Sequence, residues 1–99
     1  MTAPTVTSLL QGFFTDRLAR HMQASAQTIS AYRDTVKLLL IFASSQAKKP
    51  PSRLTIDDLD AVMIGAFLNY LDTERHNSTA TRNARLAAIH SFYRYALPL

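Results

Sequence analysis

Ser78-Thr-Ala-Thr-Arg-Asn-Ala-Arg-Leu-Ala-Ala-Ile-His-Ser-Phe-Tyr-Arg-Tyr-Ala96 opens with hydroxyl residues, passes through small and basic positions, and ends in an aromatic-aliphatic run. A serine in that first place predicts a helix N-cap, because its hydroxyl accepts a backbone N–H that the first turn leaves without a partner. Leu86, Ile89, Tyr93 and Ala96, flanked by Phe92, recur at three- and four-residue intervals and predict a helix buried on one face. The opposite face, Ala80, Ala84, Ala87, Ala88 and Ser91, is small enough to let a backbone or a groove come close. Pro98 is expected to end the helix. The stretch from Ser25 to Phe42 repeats the grammar: Ser25 as cap, Gln27, Thr28, Ser30, Ala31 and Asp34 on an accessible first half, then Val36, Leu38, Leu39, Leu40, Ile41 and Phe42.

Working outward, the second of these helices is expected over about residues 26–47, with Ile29, Tyr32, Val36, Leu39, Leu40 and Ala43 buried. Its later half is apolar all round, through Leu38, Ile41 and Phe42, so that half is expected to be covered. A first helix over about residues 6–22 follows from the spacing of Val6, Leu9, Leu10, Phe13, Phe14, Leu18, His21 and Met22. Lys48-Lys-Pro-Pro-Ser-Arg53 is a loop, since two prolines stop a helix. Thr55-Ile-Asp-Asp58 predicts a capping box with an acidic first turn for a third helix carrying Leu59, Val62, Met63, Ala66, Phe67, Tyr70 and Leu71. Residues 74–77 form a polar turn. The pattern is that of an all-α bundle of four helices.

The chain of 99 residues is long enough for one domain, and 47% apolar with 18% charged residues is the composition of an ordered one. With no cysteine, neither a disulfide nor a thiolate zinc site can form. The longest apolar run, residues 36–43, is interrupted by Lys37 and is far short of the roughly 20 residues of a membrane span. The first five residues lack the basic start and apolar middle of a signal peptide, so a cytoplasmic setting is expected. Net charge is +4 and unevenly placed: +5 over residues 1–53, −4 over 54–77 and +3 over 78–99. A basic surface drawn from both ends of the chain, with the acidic middle turned away, suits an anionic partner.

A helix start entering the major groove needs donors and small residues, with cations beside them for phosphates. Gln27, Thr28, Ser30 and Ala31 meet the first need; Lys37, Lys48, Lys49 and Arg53 meet the second. The same residues also describe a solvated helix face and a solvated loop, and charge alone does not separate the two. Arg82 and Arg85 lie on the core side of the fourth helix, before the core begins. They either reach phosphate, the expectation for Arg82, or neutralise Asp72 and Glu74 at the end of the third helix; both remain open for Arg85. His21, His76 and His90 match no metal-ligand spacing and have no carboxylate partner at a recognisable interval. His21 is expected to pack in the apolar stripe and His76 to lie in the polar turn. There is no Gly-rich phosphate loop and no nucleophile elbow.

Thr28-Ile29, Ala31-Tyr32-Arg33-Asp34, Phe67-Leu-Asn-Tyr-Leu71 and Arg85-Leu-Ala-Ala-Ile-His-Ser-Phe-Tyr93, in this order and separation, resemble the N-terminal core-binding domain of tyrosine recombinases of the phage-integrase type. The resemblance covers about residues 7–97 and favours the DNA alternative. It implies an orthogonal, SAM-like bundle of four to five helices, with residues 1–99 as a single core-binding domain that clamps double-stranded DNA. By position, Gln27, Thr28, Ser30, Ala31 and Asp34 would face the groove from the second helix, and Ala80, Thr81, Ala84 and Ala88 from the fourth. Alanine stands where longer polar side chains could read bases, so phosphate contact and shape complementarity are expected of the fourth helix. The family's catalytic tyrosine and its assisting arginines and histidines belong to a separate C-terminal domain. Tyr32, Tyr70 and Tyr93 lie on core stripes and Tyr95 near the chain end, so this chain is expected to be non-catalytic, cut from something longer. The implied partners are DNA and other recombinase protomers, with no metal, nucleotide or other cofactor. The competing expectation is a helical protein-interaction domain, for which Leu38, Ile41 and Phe42 are the candidate face.

Overall fold

A computed structural model describes residues 4–75 and 78–97. The expected turn at His76 and Asn77, the helix stop at Pro98, the reading of the first three residues and the side chain of His21 lie outside what is described. The elements are α1 (Val6–Gly12), a π-helical continuation (Phe13–His21), α2 (Ala26–Ala47), two 3-10 turns (Pro51–Arg53 and Ile56–Asp58), α3 (Ala61–Thr73) and α4 (Thr79–Ala96). Among the described residues there is no β-strand; an isolated bridge joins Thr5 to Thr55, beside the Val6 N–H that donates to the Leu54 carbonyl at 2.8 Å. The molecule is an all-α bundle.

The first helix is not uniform. After Gly12 the backbone widens, and the Met22 N–H reaches back five residues to the Arg17 carbonyl at 2.8 Å. A π-turn brings residues five apart onto one face, which is why Phe13 and Leu18 are both fully buried. Met22, expected on the buried stripe, is 52% exposed, because the segment closes at Gln23, whose φ of 46° turns the chain away. Gly12 leaves room for α4: a Cβ there would meet the Tyr95 hydroxyl, so the Tyr95 side chain would have to move.

Three serine and aspartate caps set the remaining helices. Ser25 Oγ accepts the Thr28 N–H at 3.1 Å, Ser78 Oγ accepts the Thr81 N–H at 3.1 Å, and Asp60 Oδ1 accepts the Met63 N–H at 2.9 Å. Each such cap is worth ~1 kcal/mol. The third was expected at Thr55. There the Thr55 N–H does donate to Asp58 Oδ2 at 2.9 Å, but the box closes only a 3-10 turn. Leu59, at φ −98° and ψ 53°, then breaks the helical path, and α3 restarts at Ala61.

That restart rotates α3 relative to the expected stripe. Phe67, Leu68 and Leu71 are buried, Met63 and Tyr70 half-buried, while Ala66 is exposed and Val62 is 80% exposed. On α2, Val36, Leu39 and Ala43 are buried as expected, and Ile29, Tyr32 and Leu40 pack against the core from its edge. Phe42 is covered by α3, its ring 5.7 Å from Phe67 and 5.2 Å from Tyr70, whereas Ile41 stays 60% exposed. On α4 the centre of burial is Ala88, Ile89 and Phe92, with Leu86 and Tyr93 half-buried beside it. Phe13 joins the two halves of the core, stacked on Tyr32 of α2 at 6.4 Å and edge-on to Phe92 of α4 at 5.5 Å.

Candidate nucleic-acid interface

The starts of α2 and α4 carry the same four-residue device. In Ser25-Ala-Gln-Thr28 and in Ser78-Thr-Ala-Thr81 the serine hydroxyl caps the threonine N–H and also meets the threonine Oγ1, at 3.0 Å in both. Both serines are exposed and both threonines half-buried, so the two first turns are built alike and stay accessible.

The fold sets the second and third turns of α2 against the start of α4. Ala31, Tyr32, Asp34 and Thr35 of α2 and Thr81, Ala84 and Arg85 of α4 line one cleft of about 230 Å³. Its two walls are tied by a hydrogen bond between residues 50 positions apart, Arg85 Nη1 to Thr35 Oγ1 at 3.2 Å. Thr35 is 3% exposed and donates its own hydroxyl hydrogen to the Ala31 carbonyl at 3.2 Å. Arg85 Nε is buried without a hydrogen-bond partner. Of the expected DNA-facing residues, Ala31, Asp34, Thr81, Ala84 and Arg85 thus come together. Gln27, Ser30 and Ala80 are exposed beyond the cleft, and Lys37 is exposed further along α2. Ala88 is a correction: at 1% exposure it belongs to the core and has no surface to offer a duplex. It sits one turn past Ala84, which is exposed, as is Ala87 beside it.

The cations divide into held and unheld. Lys49 Nζ is 3.0 Å and 3.1 Å from the two carboxylate oxygens of Asp58. The Thr55 N–H, then Lys49, holds the Asp58 carboxyl below its ordinary value. Arg82 Nε lies 3.1 Å from Asp72 Oδ2, without the alignment of a hydrogen bond. So Arg82 meets the acidic end of α3, not the open solvent expected for a phosphate contact. The acidic middle of the sequence is therefore not simply turned away; it is cross-linked to both basic ends. Lys48 and Arg53 are exposed and, among the described residues, form no ion pair; with Lys49 and Pro50 they line a second polar recess of about 320 Å³. Arg33 lies over the Phe14 ring at 5.9 Å, within the range of a cation–π contact.

Thr35 and Tyr32 were not among the expected site residues. Thr35 carried a signal: a hydroxyl at the border of an apolar stripe must find a partner once buried, but the sequence does not say which. A third feature had no counterpart in the sequence. Between the 3-10 turn, α3 and α4 runs an apolar groove of about 600 Å³, floored by Leu59, Ile64, Leu68 and Ile89, with Asp57, Asp60 and His90 among its polar residues. The Tyr93 hydroxyl, which lines it, donates to the Leu59 carbonyl; burial and then the charge of Asp60 push its pKa up to about 12. Among the described residues no group of His, Cys, Asp or Glu is placed to hold a metal ion, and no helix is long and apolar enough to cross a membrane.

Two proteins of Sinorhizobium fredii that carry the designation integrase/recombinase are similar to this chain. One, y4rC, is 50% identical over 92 residues, which is 93% of this chain and 28% of the relative. The other, y4rD, is 42% identical over 87 residues, 88% of this chain and 31% of the relative. The chain therefore spans about a third or less of these relatives' length. No solved structure gives a significant match. Residues 11–98 match the N-terminal SAM-like domain of phage integrase, and the chain belongs to that family.

Proposed function

We propose that this domain binds double-stranded DNA through the first halves of α2 and α4, as the clamp module of a site-specific tyrosine recombinase. The observation that carries this is the cleft shared by α2 and α4, two helices whose starts are exposed and capped alike. Helix N-termini present backbone N–H groups and a positive dipole end to an anion. Gln27, Thr28, Ser30, Ala31 and Asp34 would face the groove from α2, with Ala80, Thr81 and Ala84 from α4. Lys37, Lys48 and Arg53 would contact phosphate; Lys49 and Arg82, already paired to carboxylates, would contribute less. Residues 1–99 then act as one core-binding unit, non-catalytic and without a cofactor. The strand-exchange chemistry and the contacts with other protomers belong to a longer cytoplasmic parent.

The test is a fluorescence-anisotropy titration of a labelled duplex across a salt series. Affinity should fall steeply and log-linearly with salt, and Lys48→Ala and Arg53→Ala should each flatten the slope by about 0.9. Salt-independent binding, or no binding at low salt, overturns the proposal. The apolar groove between α3 and α4 favours a second function, docking of a protein partner. Such docking would vary little with salt and would survive Lys48→Ala.

A further inference from the structure

Asp34 is exposed in the α2–α4 cleft, and no cation among the described residues pairs with it. Two of the cations near it are engaged elsewhere. Arg85 on the facing wall gives Nη1 to Thr35, and the neighbouring Arg33 lies over Phe14. In a chain of net charge +4, an unneutralised carboxylate on the surface meant for a polyanion opposes binding. In water it is solvated at little cost. Against DNA it is repelled by every phosphate, and it accepts hydrogen bonds but donates none.

The major groove offers such a group two donors, the N4 amine of cytosine and the N6 amine of adenine. They are not equivalent. The adenine amine stands between two acceptors, its own N7 and the thymine O4, so a carboxylate approaching it meets like partial charges on both sides. The cytosine amine has an acceptor on one side, the guanine O6, and a C–H on the other. The geometry points to Asp34 as a specificity-determining residue that accepts a hydrogen bond from the N4 amine of a cytosine. This rests on the DNA-binding proposal above and adds to it a base preference.

The experiment is enrichment of a random-sequence duplex library by the wild-type chain, Asp34→Ala and Asp34→Asn, read by sequencing. It is followed by anisotropy titration of the enriched duplex and of one with that base pair changed. The exposure of Asp34 makes both variants compatible with the fold, which circular dichroism checks. The wild type should enrich cytosine at one position. Asp34→Ala should lose about fivefold to tenfold in discrimination there, bind unrelated duplex as well or better, and keep the wild-type salt slope. Asp34→Asn, whose amide both accepts and donates, should shift the preference to adenine. The inference is overturned if Asp34→Ala keeps the cytosine preference, if the wild type selects adenine, or if all three bind salt-dependently without selecting any base. Absence of binding by all three overturns the DNA proposal itself, and this one with it.

Discussion

Two clefts flank α4, and they differ in how their walls are held apart. At the helix start the α2–α4 cleft has polar groups set in a largely apolar lining. Its floor is a buried threonine and a guanidinium joined by a hydrogen bond, and its rim holds an unpaired carboxylate. Towards the helix end the α3–α4 groove is apolar, held by Ile89 and Leu68 below and by the Tyr93–Leu59 bond at its side. The first is spanned by a directed hydrogen bond between its walls; the second is held mainly by packing, with one hydrogen bond at its side. Directed bonds fix a spacing, whereas packing tolerates a range of shapes.

Three measurements break or sharpen this contrast. Ile89, 2% exposed, is shared between the core and the groove. Ile89→Ala should lower unfolding free energy by about 2–5 kcal/mol in a denaturant titration. A loss under 1 kcal/mol would mean that the groove is loosely filled and does not brace α4. Thr35→Val removes the acceptor of Arg85 Nη1 and leaves a charged donor unpaired beside a buried site. It should cost about 1–3 kcal/mol, and it should weaken DNA affinity uniformly without changing the salt slope. A variant as stable as wild type would show that the α2–α4 cleft does not depend on this bond.

The smallest expected effect is alkaline. The Tyr93 hydroxyl has an ordinary pKa of 10.0, raised in the folded protein to about 12, chiefly by burial. A raised folded-state pKa means that the contribution of this group to stability is complete below pH 10 and is lost as pH rises towards and through 12. Tyr93→Phe should therefore flatten the alkaline limb of the stability profile while leaving the limb below neutrality unchanged. An identical alkaline limb in the variant would place the sensitivity in other tyrosines and detach it from the groove.

Sequence periodicity determined much of this architecture. The helical runs, the Ser25 and Ser78 caps, the Pro50–Pro51 stop and the burial of Val36, Leu39, Phe67, Leu71 and Ile89 all depend on residues three to four apart. Such relations are local, so the sequence carries them in full. It erred where two local signals competed. Thr55 and Asp60 both cap, and Asp60 set the phase of α3, so Val62 and Ala66 came out exposed. A uniform period was also drawn through Gly12, where the backbone widens and leaves Met22 exposed.

The tertiary structure alone decided which distant groups meet. Lys49 found Asp58 and Arg82 found Asp72, so two cations expected to face phosphate are already paired. Thr35 found Arg85 across 50 residues. Ala88, small and apparently exposed by its place on the helical wheel, went into the core. The sequence itself determined the helices, their caps and the charge imbalance, because each is written within one turn or one segment. Helix crossings decided the pairing of charges, the α2–α4 cleft and the apolar groove, because a crossing angle depends on all the packed side chains at once and on no single stretch of chain.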